Sequence, residues 1–184
     1  MRTGLFFGSF NPIHMGHLAI AQFFLNEAGL DRVMFVVSPL NPFKTADTLI
    51  SAEKRLEMVS RSVADNPGFT VSDIEFSLEQ PSYTFKTLEA LGKALPGDSF
   101  SILMGSDTLL QVPAWKHPEI ILSYPILVYG RTDTYTNPFK DHKNVKLFDT
   151  PLLDISATSI RKMLDQGKSI KYLVRDEIID LLKI

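Results

Sequence analysis

The chain has 184 residues, 45% of them apolar and 22% charged, which suits one globular domain able to bury a core without covalent staples. The absence of cysteine excludes disulfides, thiolate metal sites, iron–sulfur clusters and a cysteine nucleophile. With 19 basic and 21 acidic residues the net charge is −2, so the basic excess typical of a nucleic-acid-binding domain is missing and no such partner is expected.

Gly4 to Gly8 reads as a buried strand, too short for a signal peptide or a membrane span, so a cytoplasmic location without a membrane partner is expected. Gly16 to Ala28 reads as a helix: Leu18, Ile20, Ala21, Phe24 and Leu25 recur near helical spacing, and Gly29 stops it. Val33 to Val37 is a second strand, continuously apolar like a parallel strand covered on both faces. After a loop with Pro39 and Pro42, Ser51 to Ala64 reads as a helix that buries Leu56, Met58, Val59 and Val63. Phe69 to Val71 and Ile74 to Phe76 read as short strands, and Ser82 as the cap of a helix running to Leu95 and ended by Pro96-Gly97. Phe100 to Met104, Ile126 to Tyr129 and Val145 to Phe148 are further strands, the last preceded by a polar stretch at 131–144 without periodicity. Ser156 to Gln166, stopped by Gly167, and Val174 to Leu182 read as the closing helices.

This alternation predicts an α/β fold, a doubly wound and mostly parallel sheet with helices on both faces. No repeat or low-complexity linker divides the chain, so residues 1–184 are read as one domain with a helical part from about residue 156.

The turn from the first strand into the first helix reads Gly8-Ser9-Phe10-Asn11-Pro12-Ile13-His14-Met15-Gly16-His17. Ligands of such sheets bind at the carboxyl ends of strands. Gly8 would let backbone approach a ligand closely, and Asn11-Pro12 would fix the turn. His14 and His17 would share one face of the starting helix, beside its free amides and the positive end of its dipole, which suits a phosphate. Ordinary half-buried histidines are the competing reading. Zinc ligation is another, but it lacks a third ligand nearby, since only His117 and His142 remain elsewhere, and no metal site is expected. Neither G-x-x-x-x-G-K-S/T nor G-x-G-x-x-G is present.

Ile155-Ser156-Ala157-Thr158-Ser159-Ile160-Arg161 opens a late helix, where the hydroxyls would serve as ordinary caps. An arginine near a positive helix end is electrostatically awkward, and an anionic ligand there would resolve the conflict.

Gly8 to His17 resembles, without a gap, the G-x-F-x-P-x-H-x-G-H signature of the (T/S)xxH nucleotidyltransferases, and Ile155 to Arg161 resembles their I-S-S/T-S/T-x-I-R signature, with Ala157 at the third position. Within that superfamily, Pro81 to Leu88 is similar to the P-S-Y-T-x-x-T-L stretch of bacterial nicotinate-nucleotide adenylyltransferases. Gly105 to Leu109 with Trp115 is similar to their G-x-D-x-L…W segment, and Ser38 to Lys44 to their P-x-x-x-P-H-K loop, with Phe43 where histidine is usual. Pantetheine-phosphate adenylyltransferases share the two ATP signatures alone.

The resemblance implies a Rossmann-like fold and transfer of AMP from ATP to nicotinate mononucleotide, with Mg²⁺ arriving on the ATP. It implies that His14, His17, Lys44 and Arg161 are catalytic, neutralising the transferred and departing phosphates. Gly8, Ser9, Phe10, Gly105, Asp107, Ser156 and Thr158 are the implied ATP contacts, and Tyr83, Thr84, Trp115 and Lys116 the mononucleotide contacts. Trp115 would stack on the pyridine ring, while Thr84 and amides near Trp115 and Lys116 would take its carboxylate. On the residues alone, Trp115 equally reads as a core anchor, Asp107 as a cap of the helix after Met104, and Tyr83 and Thr84 as first-turn residues. A sibling acceptor, nicotinamide mononucleotide or phosphopantetheine, is the alternative. Lys140, His142, Lys143 and Lys146 read as a solvated loop.

Overall fold

The computed structural model describes residues 1–40, 49–130, 138–139, 141–150 and 153–182. Its sheet contains β1 (Arg2–Gly8), β2 (Arg32–Val37), β3 (Phe69–Ser72), β4 (Ser99–Gly105), β5 (Ile126–Gly130) and β6 (Val145–Asp149). The strand order is β3-β2-β1-β4-β5-β6, and every neighbouring pair is parallel. Strand order reverses at β1, whose neighbours are β2 and β4, so the crevice beyond the carboxyl ends of β1 and β4 is the topological switch point.

Seven helices among the described residues cover the sheet: α1 (Met15–Glu27), α2 (Ala52–Val63), α3 (Thr84–Ala94), α4 (Ser106–Leu109), α5 (Pro118–Ser123), α6 (Ala157–Asp165) and α7 (Ile179–Leu182). The two-residue period of the strands divides their apolar side chains between two cores. Phe6, Phe35 and Leu103 face a cluster with Phe24, Met58, Val59 and Ile160. Leu5, Met34, Val36 and Ile102 face the other, with Leu88, Leu91, Leu109 and Ile121. Val33 through Val37 are all buried, which is why their sequence is continuously apolar. Among the described residues no helix is long and apolar enough to cross a membrane.

Three expectations need correction. Ile74 to Phe76 is not a strand but part of a 3₁₀ turn, Ile74–Ser77. A hydrophobic alternation three residues long cannot separate the two, and here the middle residue, Glu75, points inward and is buried. Ser82 does not cap α3; Tyr83 holds that position, and Ser82 is buried with its hydroxyl donating to Gln80 Oε1 at 3.3 Å. Finally, 174–182 is not one helix. Val174, Ile178 and Leu182 are buried at helical spacing, but Arg175 is extended (ψ 144°), and only a 3₁₀ turn, Asp176–Ile178, and the short α7 follow. Of the unpatterned stretch 131–144, residues 131–137 and 140, including Lys140, lie outside the described residues.

Candidate active site

The turn after β1 is built around a buried aromatic ring. Phe10 adopts the left-handed φ of 45°, which an aromatic residue holds only when its surroundings over-determine it. Those surroundings are Phe6 and His17, whose rings meet the Phe10 ring edge-on at 5.9 and 5.2 Å. A Cβ on Gly8 would lie 2.7 Å from that ring. The space on the Cβ side of Gly8 is therefore taken by the Phe10 ring, while Gly8 itself lines the cavity described below. Phe10 is 3% exposed and belongs to the first core cluster.

His14 and His17 come together, though not on one helical face as their spacing predicts. His14 is the extended N-cap residue of α1 and His17 is the third residue of the helix. Their rings stack at 3.7 Å and 26°. Gly16 makes this possible, because a Cβ there would sit 3.0 Å from His14 Nδ1. The His14 backbone N–H donates to His17 Nδ1 at 3.3 Å, so a neutral His17 carries its proton on Nε2. Burial pulls the pKa of His14 from 6.5 down to about 4, making it neutral at physiological pH, and its Nδ1 has no hydrogen-bond partner among the described residues. Nearly parallel stacked rings do not aim their lone pairs at a common point. Among the described residues no three His, Asp or Glu side chains gather as a metal-binding group.

The second signature meets the first. Ser156 caps α6: its Oγ accepts from the Ser159 N–H at 3.1 Å, and the Ser156 N–H donates to Ser159 Oγ at 3.3 Å. Arg161, one and a half turns into α6, donates from Nη1 to the Asn11 carbonyl at 2.7 Å and from Nη2 to Thr158 Oγ1 at 3.3 Å. A guanidinium 150 residues away in sequence is thus held at the histidine turn.

A cavity of about 310 Å³ opens at the switch point. Gly8, Ser9, Ser38, Thr84, Gly105, Thr108, Gln111 and Trp115 are among the residues that line it. Trp115 ends a short 3₁₀ turn, Val112–Ala114, and is half-buried against the second core, so it is at once a core anchor and a cavity wall. Its indole N–H is buried without a partner among the described residues. Tyr83 precedes α3 and lies under the Lys116 ammonium, 4.0 Å from the ring centroid. Asp107 sits in the first turn of the single-turn α4, and its carboxylate occupies the room above Gly105. Burial, assisted by the Asp107 charge, pushes the Tyr129 hydroxyl up to about 12. Gly8 and Ser9 belong to both the cavity wall and the histidine turn. Lys44 and Phe43 lie outside the described residues.

Two buried polar residues beside the cavity escape a sequence reading. Glu75 is 3% exposed; the Thr87 hydroxyl donates to its Oε1 at 2.7 Å, and burial raises its pKa against the lowering effect of the Thr87, Ser38 and Ser82 hydroxyls. Arg55 is 1% exposed and bonded to backbone carbonyls alone. Its signal was present, since Arg55 shares the inward face of α2 with Val59 and Ser62, four and seven residues on.

The chain matches the cytidylyltransferase-like family over residues 5–163. It is 48% identical to a protein named probable nicotinate-nucleotide adenylyltransferase from Cytophaga hutchinsonii, covering 99% of this chain and 95% of the relative. It is 42% identical to the protein of the same name from Flavobacterium psychrophilum, covering 97% and 94%. A nicotinic acid mononucleotide adenylyltransferase of Plasmodium falciparum, solved in complex with NaAD, superposes with a TM-score of 0.82 over 98% of this chain and 94% of that one; at 19% identity the likeness is one of fold. The chain belongs to the cytidylyltransferase-like family and, within it, to the nicotinate-nucleotide adenylyltransferases.

Proposed function

We propose that the protein transfers the adenylyl group of ATP to nicotinate mononucleotide, yielding nicotinate adenine dinucleotide and pyrophosphate, a step of NAD biosynthesis. The observation that carries this reading is the junction at Gly8 and Ser9, where an aromatic-walled cavity runs into a turn bearing two stacked imidazoles and a guanidinium.

A phosphate oxygen of the mononucleotide attacks the α-phosphorus of MgATP in line. A new P–O bond forms, the bond from the α-phosphorus to the bridging oxygen breaks, and its electron pair leaves with pyrophosphate. The attacking oxygen is already ionised, so no protein nucleophile or base is needed. Catalysis is positioning together with neutralisation of the transferring and departing phosphates. His17, protonated on Nε2, donates to the transferring phosphoryl group. His14 is held neutral and can offer a hydrogen bond from its one ring N–H to a phosphate oxygen without adding charge. Arg161 meets the departing pyrophosphate, with Lys44 assigned the same task from the sequence. Trp115 supports the pyridinium ring by stacking and cation–π attraction, and the Thr84 hydroxyl takes its carboxylate. The Mg²⁺ arrives with the nucleotide as part of the substrate.

Purified protein given ATP and nicotinate mononucleotide releases pyrophosphate, and nicotinamide mononucleotide or phosphopantetheine in its place gives far slower release. Equal or faster release with either alternative acceptor overturns the assignment. His17→Ala lowers turnover by about 10²–10³-fold while leaving the fold intact, the usual cost of one preorganised donor; near-normal turnover removes His17 from the reaction.

A further inference from the structure

A buried guanidinium ordinarily meets a carboxylate. Arg55 does not: among the described residues it forms no ion pair, and four of its N–H groups donate to four carbonyls. Nε donates to Ile50 O at 2.8 Å, Nη1 to Ser9 O at 2.6 Å and Ser38 O at 2.7 Å, and Nη2 to Pro39 O at 2.7 Å. These carbonyls belong to three separate stretches: the turn after β1, the end of β2, and the residues just before α2. Ser9 and Ser38 also line the cavity, on the other side of the same backbone. Ile50 in turn donates its N–H to Asn11 Oδ1 at 3.0 Å, and the Asn11 carbonyl receives Arg161. Arg55 therefore grips the backbone of two cavity-lining residues and is joined through two residues, Ile50 and Asn11, to the guanidinium assigned to pyrophosphate.

We propose that Arg55 is a positioning residue of the adenylyl-transfer site, a planar fork that sets the Ser9 and Ser38 backbone, and through Ile50 and Asn11 the Arg161 arm, in register with the nucleotide phosphates. This deepens the function proposed above and rests on it. An apolar side chain of similar length would fill the space but leave four buried carbonyls without their donors. A lysine would keep the charge, but its three N–H groups radiate from one nitrogen and cannot span carbonyls that a fork reaches with three. Burying a charge that forms no ion pair among the described residues is itself a cost, which its four carbonyl partners offset. What the fork supplies is a tie that joins the turn after β1, the residues after β2 and the residues before α2 at one point, beyond the parallel pairing of β1 with β2 that ends at Gly8–Val37 and the Ser38 N–H to Gly8 O bond at 2.9 Å.

The test compares wild type, Arg55→Lys and Arg55→Ala in pyrophosphate release, calorimetric ATP binding and thermal melting. A misplacement of about 1 Å at a phosphate site costs about 10²-fold in rate. Arg55→Lys is accordingly expected to melt cooperatively yet lose about 10²-fold in kcat/KM per folded molecule, mostly in kcat. In Arg55→Ala, free guanidinium at millimolar concentration is expected to restore turnover. Arg55→Lys within threefold of wild type, or a lowered melting temperature with unchanged kinetic constants, overturns the proposal. Should lysine unfold the chain, the alanine variant decides, and failure of guanidinium to restore any activity overturns it. If wild type turns over no acceptor, the function reading fails instead. The fork is then judged by ATP affinity alone, with tenfold weaker binding in Arg55→Lys supporting it and unchanged binding overturning it.

Discussion

Gly16 shows how much of this site is decided by a missing methyl group. A Cβ there would lie 3.0 Å from Nδ1 of the His14 ring, so a methyl group would press on the ring that stacks with His17. Gly16→Ala sits in a helix, where alanine is intrinsically the better residue by up to about 1 kcal/mol. The variant should therefore stay folded while turnover falls at least tenfold, because the methyl group pushes the His14 ring out of its place in the stack; unchanged kinetics would show that the stack is incidental. His14 makes a second prediction through its titration. Its folded pKa of about 4 lies below the ordinary 6.5, so the folded state resists the proton that the unfolded chain accepts. The neutral form carries no penalty above pH 6.5, and stability is lost as pH falls from there toward 4, by about 2 kcal/mol between pH 7 and 5. Glu75 acts in the opposite sense, since a raised carboxyl pKa favours the folded state at low pH and that contribution is lost as pH rises through the folded value. Urea unfolding of wild type and His14→Gln at both pH values isolates the histidine: the loss should shrink in the variant.

Among the elements, α6 is the one whose sequence supports two readings. Ser156 caps it by a reciprocal pair with Ser159, so Ser156→Ala should cost about 1 kcal/mol of stability, read from denaturant unfolding. A cost near zero would mean that solvent replaces the cap. The element also explains why an arginine is tolerated near a helix start: Arg161 reaches past the first turn to a carbonyl of another loop, so its charge is met by oxygen even without a ligand. The 3₁₀ turn Ile74–Ser77 teaches the converse. Its pattern of apolar, acidic, apolar resembles a strand because alternation has the same appearance in any tight extended or turned segment of that length. What holds Glu75 inward is hydroxyls from elsewhere in the chain, Thr87 twelve residues on and Ser38 from beyond β2 among them.

At the scale of the molecule, the cavity is walled by parts of the chain far apart in sequence: the ends of β1 and β2, the start of α3 and the stretch after β4. A ligand bound there should stabilise the whole fold by mass action. ATP at a hundred times its Kd gives about 2.7 kcal/mol, a rise in melting temperature of about 5–10 °C for a chain of this size, measurable by scanning calorimetry. No shift at saturating ATP would show that the cavity does not take the nucleotide.

Most strands and longer helices were legible along the chain because their periods are local properties: the continuous apolar run of β2 follows from burial on both faces, and the spacing in α1 and α2 from one buried stripe each. The residue types suited to phosphate chemistry were equally legible, as was their place in two turns at strand or helix ends. What escaped was every assignment that depends on a partner distant in sequence. The neutrality of His14, the bond of Arg161 to Asn11 and the four carbonyls around Arg55 all arise from packing between separate segments. Periodicity reports which way a side chain faces, whereas charge state and bonding are set by whatever the fold brings against it.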